Sequence, residues 1–147
     1  MFYRAKRMLL VEDNADDELL ALQALECNRV DSQVDVVRDG QEALDYLFAE
    51  GRFADRQGAA NPDVILLDIN LPKINGLEVL KRIRANAATR MAPVVVLTSS
   101  TEDSDVRECY RLGANSYIQK PVDFGEFIKA VGNISNYWLR YNESPRV

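Results

Sequence analysis

Short apolar runs alternate with helix-spaced apolar positions along the chain. The runs are Met8-Leu9-Leu10-Val11, Val34-Asp35-Val36-Val37, Val64-Ile65-Leu66-Leu67, Val94-Val95-Val96-Leu97 and Ser116-Tyr117-Ile118-Gln119. The third, entered through Asn61-Pro62 and Asp63, has the length and β-branched content of a strand buried on both faces. The first strand is expected over residues 6–12 and a helix over about 15–28, with Asp16, Asp17 and Glu18 in its first turn, where the dipole favours negative charge. Asp39-Gly40-Gln41-Glu42 has the spacing of a capping box; the helix behind it presents Ala43, Leu44, Leu47 and Phe48, with Gly51 as the expected stop. Residues 50–62 read as loop by their Gly, Asn and Pro content. Leu77, Leu80 and Ile83 mark a further helix, and Pro93 opens the fourth strand. Ser100-Thr101-Glu102-Asp103 supplies caps for a helix with Val106, Cys109 and Tyr110 on one face, closed by Gly113. Phe124, Phe127, Ile128, Val131, Ile134 and Trp138 form the broad stripe of a core-facing last helix. Strand and helix thus alternate five times, which predicts an α/β fold with a parallel sheet covered on both faces.

A chain of 147 residues suits one domain, expected over residues 1–147 with its core at about 7–137 and no output domain. The net charge of −5 and the absence of a cationic stripe argue against nucleic acid as a partner. No apolar stretch approaches the roughly 18 residues that span a bilayer, so no membrane is expected. The basic start, Met1-Phe2-Tyr3-Arg4-Ala5-Lys6-Arg7, leads into an apolar run too short for a secretion signal, and a cytoplasmic location is expected. Cys27 and Cys109 fit no metal spacing and read as reduced, half-buried thiols. There is no histidine. That excludes a Ser-His-Asp triad, histidine-ligated zinc, haem and a phosphohistidine on this chain. Any phosphohistidine in its chemistry belongs to a partner.

Four of the strands end in polar groups that packing does not require: Glu12-Asp13, Asp68, Thr98-Ser99 and Lys120-Pro121. In an open parallel sheet such ends converge on one edge, where ligands bind. Carboxylates, a hydroxyl and an ammonium suit a divalent cation and a phosphoryl group. Asp13 and Asp68 can each give Mg²⁺ one oxygen, the backbone carbonyl of Asn70 a third, and Glu12 can act through a metal-bound water. Asp68 can accept a phosphoryl group as a mixed anhydride, with Lys120 and the Thr98 hydroxyl neutralising its oxygens. Each residue alone has a plainer reading. Glu12-Asp13 can simply cap the first helix, Lys120 can be a solvated surface lysine, Thr98 is a common strand-end residue, and Tyr117 can be core packing. A cis Lys120-Pro121 bond is one way to aim the lysine inward.

Taken together, Glu12-Asp13, Asp68, Thr98-Ser99, Tyr117 and Lys120-Pro121 resemble the receiver-domain set of two-component response regulators, over nearly the whole chain. The resemblance implies a five-stranded, parallel, doubly wound, flavodoxin-like sheet in the order 2-1-3-4-5. It implies Asp68 as the aspartate phosphorylated from a sensor histidine kinase. Asp13, Asp68 and the Asn70 carbonyl would hold Mg²⁺, Lys120 would contact the phosphoryl group, and Thr98 with Tyr117 would form the switch pair. More narrowly, Glu12-Asp13-Asn14-Ala15-Asp16-Asp17, the loop at 50–62 and Leu71-Pro72-Lys73 are similar to single-domain regulators paired with bacterial phytochromes. That would make the partner a light-sensing kinase. The long loop departs from the wider family and reads as decoration away from the site.

The expected function is a phosphoacceptor switch that assists only its own phosphorylation and dephosphorylation. A carrier in a multistep phosphorelay is the alternative. A phosphohydrolase with an aspartyl nucleophile is less well supported, since Asp13-Asn14-Ala15-Asp16 lacks the usual Asp-x-Asp-Gly. A flavodoxin-like binding protein would meet repulsion between Glu12-Asp13 and a bound phosphate. A DNA-binding regulator lacks the length. The last helix runs on into Tyr137, Trp138, Leu139 and Tyr141, more aromatic surface than one small core can bury. Exposed aromatics beside Arg140 are typical of interface centres. A homodimer through the fourth helix, fifth strand and fifth helix is therefore expected, using Val106, Tyr110, Tyr117, Tyr137, Trp138 and Tyr141. The plainer alternative is that Trp138 and Leu139 only seal the sheet's edge.

Overall fold

A computed structural model describes residues 5–28 and 32–145. Most of the basic N-terminal segment read above lies outside the described residues. The elements follow the expected order: β1 (Lys6–Val11), α1 (Ala15–Cys27), β2 (Ser32–Val37), α2 (Gly40–Phe48), a 3-10 helix (Gly51–Arg56), β3 (Val64–Leu67), α3 (Gly76–Ala85), β4 (Val94–Thr98), α4 (Asp103–Arg111), β5 (Ser116–Gln119) and α5 (Phe124–Asn136). A π-helical turn, Tyr137–Tyr141, extends α5.

The strands form one parallel sheet in the order β2-β1-β3-β4-β5. Side chains alternate across it, as the strand period requires. Met8, Leu10, Val64, Leu66, Val95 and Leu97 face α1 and α5, meeting Ala21, Ala24, Phe127 and Val131. Leu9, Val11, Ile65, Leu67 and Val94 face α2 and α3, meeting Leu44, Leu47, Val79, Leu80 and Ile83. A smaller group, Ile69, Val96 and Cys109, seats α4, with Tyr117 packed against it. Burial of Cys109 pushes its thiol up to about 11, while Cys27 is exposed.

Four local expectations change. Asp39 caps α2 by accepting the Glu42 N–H, but Glu42 returns its hydrogen bond to the Arg38 N–H, one residue before the cap. The helix ends on Ala49, left-handed at φ 54°, rather than at Gly51. The segment expected as loop contains the 3-10 helix, docked on α2 by an edge-to-face contact between Tyr46 and Phe53 and by the Arg56 guanidinium over the Tyr46 ring. At the far end, the Asn142 N–H reaches the Tyr137 carbonyl, and this wider turn shifts the phase of the helix. Leu139, rather than Trp138, becomes the deeply buried residue; Trp138 is half-buried and packs against the same core.

The turn after β3 is tightly confined. The Gly76 N–H bonds to the Ile69 carbonyl, and a Cβ on Gly76 would lie 2.4 Å from the Asp68 carbonyl oxygen and 2.5 Å from Ile69 Cα. Both obstacles are backbone, so relief requires moving the loop that carries Asp68. Gly76→Ala is expected to lower the unfolding free energy by about 1–3 kcal/mol, the usual range for overpacking. Urea unfolding measures this, and an unchanged midpoint and slope would contradict it.

Candidate functional site

The site follows from the register. The Glu12 N–H continues the β1–β2 ladder to the Val37 carbonyl, and the Asp68 N–H reaches the Val11 carbonyl. On the other side, the Lys120 N–H bonds to the Thr98 carbonyl at 2.7 Å. The first residues beyond β1, β3 and β5 therefore emerge at one edge of the sheet. Among the described residues there is no cis peptide bond, so Lys120 reaches inward from its strand-end position without one.

Asp68 is buried, and its carboxylate is held on both sides. Oδ1 accepts the Asn70 N–H at 2.9 Å, and Oδ2 accepts from Lys120 Nζ at 2.8 Å. Glu12 is 4 % exposed, with one oxygen 2.7 Å from Lys120 Nζ and the other accepting the Asn14 N–H. Asp17 supplies a third carboxylate to Lys120, at 2.8 Å from the first turn of α1. In the sequence Asp17 stands in the acidic first turn of α1 and in the Glu12-to-Asp17 stretch similar to phytochrome-paired regulators, and neither feature points to Lys120. Its spacing from Asn14 fixes where it starts on α1, but its meeting with a residue 103 positions away depends on how α1 lies on the sheet.

Asp13 is exposed and completes an acidic group: oxygens of Glu12, Asp13 and Asp68 all lie within 4.8 Å of one another. Around one octahedral ion with bonds of about 2.1 Å, ligand oxygens lie roughly 3–4 Å apart, so modest side-chain rotation suffices. Three carboxylates around one ammonium, with Asp13 beside them, leave an excess of negative charge that a divalent cation can neutralise. The residues present thus fit a divalent metal.

Thr98 is fully buried at the end of β4. Its Oγ1 accepts from Asn70 Nδ2 and from the Ser100 N–H, both at 3.4 Å. Ser99 is exposed. The Tyr117 hydroxyl donates to the Ser100 carbonyl at 3.2 Å, so Thr98 and Tyr117 bind opposite ends of one residue. Burial is the main cause of the raised Tyr117 pKa. The sequence reading named the pair but not Ser100, which had been read only as a helix cap.

The aromatic residues divide between two faces. β5 is an edge strand, and its alternation turns Tyr117 toward α4 while Ser116 and Ile118 line a groove with Ile134, Tyr137 and Trp138. Tyr110, Tyr137 and Tyr141 are exposed, and Val106 is half-buried. Leu139 seals the core, as the plainer reading had it, while the two flanking tyrosines remain outside.

Burial opposes the Lys120 charge, but hydrogen bonds to Asp17, Asp68 and Glu12 outweigh it and raise the lysine's pKa. The ammonium stays protonated. Burial pushes the Glu12 carboxyl up from 4.5 to about 7, against the opposing pull of Lys120. A folded-state pKa above the unfolded one means the folded chain holds the proton more tightly. This contribution to stability is fully present below about pH 4.5 and is lost as pH rises through about 7. In chelator-containing buffer, Glu12→Gln is expected to flatten the unfolding free energy across that window, measured by denaturant titration. A decline as deep in the variant as in the parent chain would contradict it.

The profile of the response regulator receiver domain matches residues 8–132. The chain is 42% identical over 138 residues to the "Probable methanogenesis regulatory protein FilR2" of Methanothrix harundinacea, covering 94% of this chain and 86% of that protein. It is 37% identical to the response regulator Rcp1 of Synechocystis, covering 91% and 89% of the two chains. The crystal structure of the phosphorylated cyanobacterial phytochrome response regulator RcpA superposes with a TM-score of 0.90 at 40% identity, covering 97% of this chain and all of that one. The Mn²⁺-bound form of Rcp1 superposes with a TM-score of 0.89 at 36% identity, covering 96% and 99%. With its sheet order and its strand-end carboxylates and lysine, the chain belongs to the response regulator receiver domain family, signalling proteins of two-component systems, and is similar to phytochrome-associated members.

Proposed function

We propose that Asp68 accepts a phosphoryl group from the phosphohistidine of a sensor kinase. The observation that carries this is the Asp68 carboxylate at the end of β3, buried, oriented by the Asn70 N–H and in contact with the Lys120 ammonium. An Asp68 carboxylate oxygen attacks phosphorus, the P–N bond breaks, and imidazole leaves with the bonding electrons. The chain's own contribution is position and charge. Lys120 follows the charge onto the transferred group, and the Thr98 hydroxyl takes another oxygen. Asp13, Asp68 and the Asn70 carbonyl would hold Mg²⁺, with Glu12 acting through a water, and the ion would supply charge neutralisation for the phosphoryl oxygens. The acidic triplet supports that assignment, as does the similarity to the Mn²⁺-bound form of Rcp1. Ser99 is proposed as a secondary contact beside Thr98.

Movement of Thr98 toward the phosphoryl group withdraws its oxygen from the Ser100 N–H. The Ser100 carbonyl then shifts under the Tyr117 hydroxyl, and a two-state change at the α4 face follows. The chain acts as a receiver in the cytoplasm, with a phytochrome-type histidine kinase as its input and no reaction on other substrates. Near-complete coverage of RcpA and Rcp1 supports this narrower reading. Exposed Tyr110, Tyr137 and Tyr141 support a homodimer through α4, β5 and α5.

Phosphotransfer from a panel of purified, labelled kinases tests the input. A light-sensing kinase is expected to label the chain fastest, and Asp68→Asn to take up no label. Equal labelling of Asp68→Asn would overturn the assignment. Thr98→Ala is expected to accept phosphate while leaving the Tyr117 ring resonances unmoved by beryllofluoride. Sedimentation equilibrium at micromolar concentration is expected to show a dimer, weakened by Tyr137→Ala with Tyr141→Ala. A monomer in every state would remove the dimer from the proposal.

A further inference from the structure

An ammonium has three protons, and Lys120 has three carboxylates around it: Glu12 at 2.7 Å, Asp17 at 2.8 Å and Asp68 at 2.8 Å. Two of these, Glu12 and Asp68, belong to the acidic group that fits a metal; Asp17 does not. Asp17 sits on α1 rather than at a strand end, and its backbone is fixed by the Asn14 side chain, which accepts its N–H at 3.0 Å. The Lys120 side chain is 9 % exposed, so water has little room to replace a lost acceptor. A phosphoryl oxygen can receive a hydrogen bond from Lys120 only if one carboxylate gives its own up. Glu12 is buried beside the lysine, and Asp68 is the atom source of the new bond. Asp17, the most exposed of the three, is the acceptor free to let go.

We infer that Asp17 is a positioning residue that competes with the incoming phosphoryl group for Lys120 and so slows phosphorylation of Asp68. This rests on the reading of Asp68 as the phosphoacceptor. The competition acts on one side of the reaction only. Before transfer, Lys120 is shared with Asp17, and that bond must break on the way to the transition state. In the acyl phosphate the lysine has already left Asp17, and it stays on the phosphoryl group during hydrolysis. Removing the competitor therefore accelerates formation and leaves decay almost unchanged.

Asp16 provides the control. It lies in the same first turn of α1, carries the same charge and is exposed. Asp16→Asn removes the same unit of negative charge from the helix N-terminus and from the approach to the site, without touching the lysine contact. The test compares the parent chain, Asp17→Asn, Asp17→Glu, Asp16→Asn and Asp68→Asn, with acetyl phosphate and Mg²⁺ as the phosphodonor system. Asp17→Asn is expected to form acyl phosphate about three- to tenfold faster than Asp16→Asn, the scale of one partly solvated charge-assisted hydrogen bond. The half-life after donor removal is expected to stay within about twofold of the parent. Asp17→Glu, which keeps the charge and can still reach the lysine, is expected to return the rate toward the parent value. Independently of donor and metal, the Lys120 side-chain ¹⁵N resonance is expected to shift in Asp17→Asn and not in Asp16→Asn. Labelling of Asp17→Asn no faster than that of Asp16→Asn, or an equal acceleration of formation and decay, overturns the inference while leaving Asp68 as acceptor. Undiminished labelling of Asp68→Asn overturns the underlying reading instead.

Discussion

The ion cluster of Lys120 with Glu12, Asp17 and Asp68 joins α1, β1, β3 and the end of β5 through one nitrogen atom. Each pair, at 2.7–2.8 Å, contributes attraction on the order of 6 kcal/mol at an effective dielectric of about 20. Burying the ammonium costs several kcal/mol, so one partner roughly balances the cost and three keep the lysine charged. The carboxylates repel one another and face Asp13 as well, and that repulsion remains after the lysine is counted. In the proposed reaction, a metal ion and a phosphoryl group would act on this residual imbalance. Under the proposed function, the arrangement holds the charges that phosphoryl transfer needs in place before transfer begins.

The cluster depends on backbone that has little freedom. Parallel pairing of β1 with β3 and of β4 with β5 sets where Glu12, Asp68 and Lys120 leave the sheet. The loop after β3 is held by Gly76 against the Asp68 backbone and by contact with α2, where the Gly40 N–H bonds to the Pro72 carbonyl and Lys73 pairs with Asp39 at 3.3 Å. Movement at Asp68 is therefore not absorbed by a slack loop. The hydrogen-bond path that leaves the site runs through Thr98, Ser100 and Tyr117 to the α4 face, whose support is the small group of Ile69, Val96 and Cys109.

Much of this was legible in the residues. Strands β3 and β4 are buried on both faces, and apolar except for Thr98 at the end of β4, so their ends, and with them Asp68 and Thr98, stood out. Asp13 and Lys120 followed once the strand ends were taken together. The strand order came from the family resemblance, because alternation alone does not order a sheet. Asp17 was not legible as a site residue. Three acids in a helix's first turn look alike in sequence, and only the rotation of α1 on the sheet selects the one that meets Lys120. Ser100 was hidden for a similar reason, since its part is played by backbone N–H and carbonyl groups that carry no residue-specific signal. The 3-10 helix and the π-helical turn were missed because contacts, Tyr46 with Phe53 and Leu139 with the core, decide them over local propensity.

The central claim is that this cluster makes Asp68 the one phosphorylated carboxylate. Borohydride reduces an acyl phosphate to the alcohol, converting a phosphorylated aspartate to homoserine, and tandem mass spectrometry then locates it. After incubation with a phosphorylated kinase and Mg²⁺, homoserine is expected at position 68 and at no other aspartate. Homoserine at position 13 or 17, or none in a chain that has taken up label, would contradict the account.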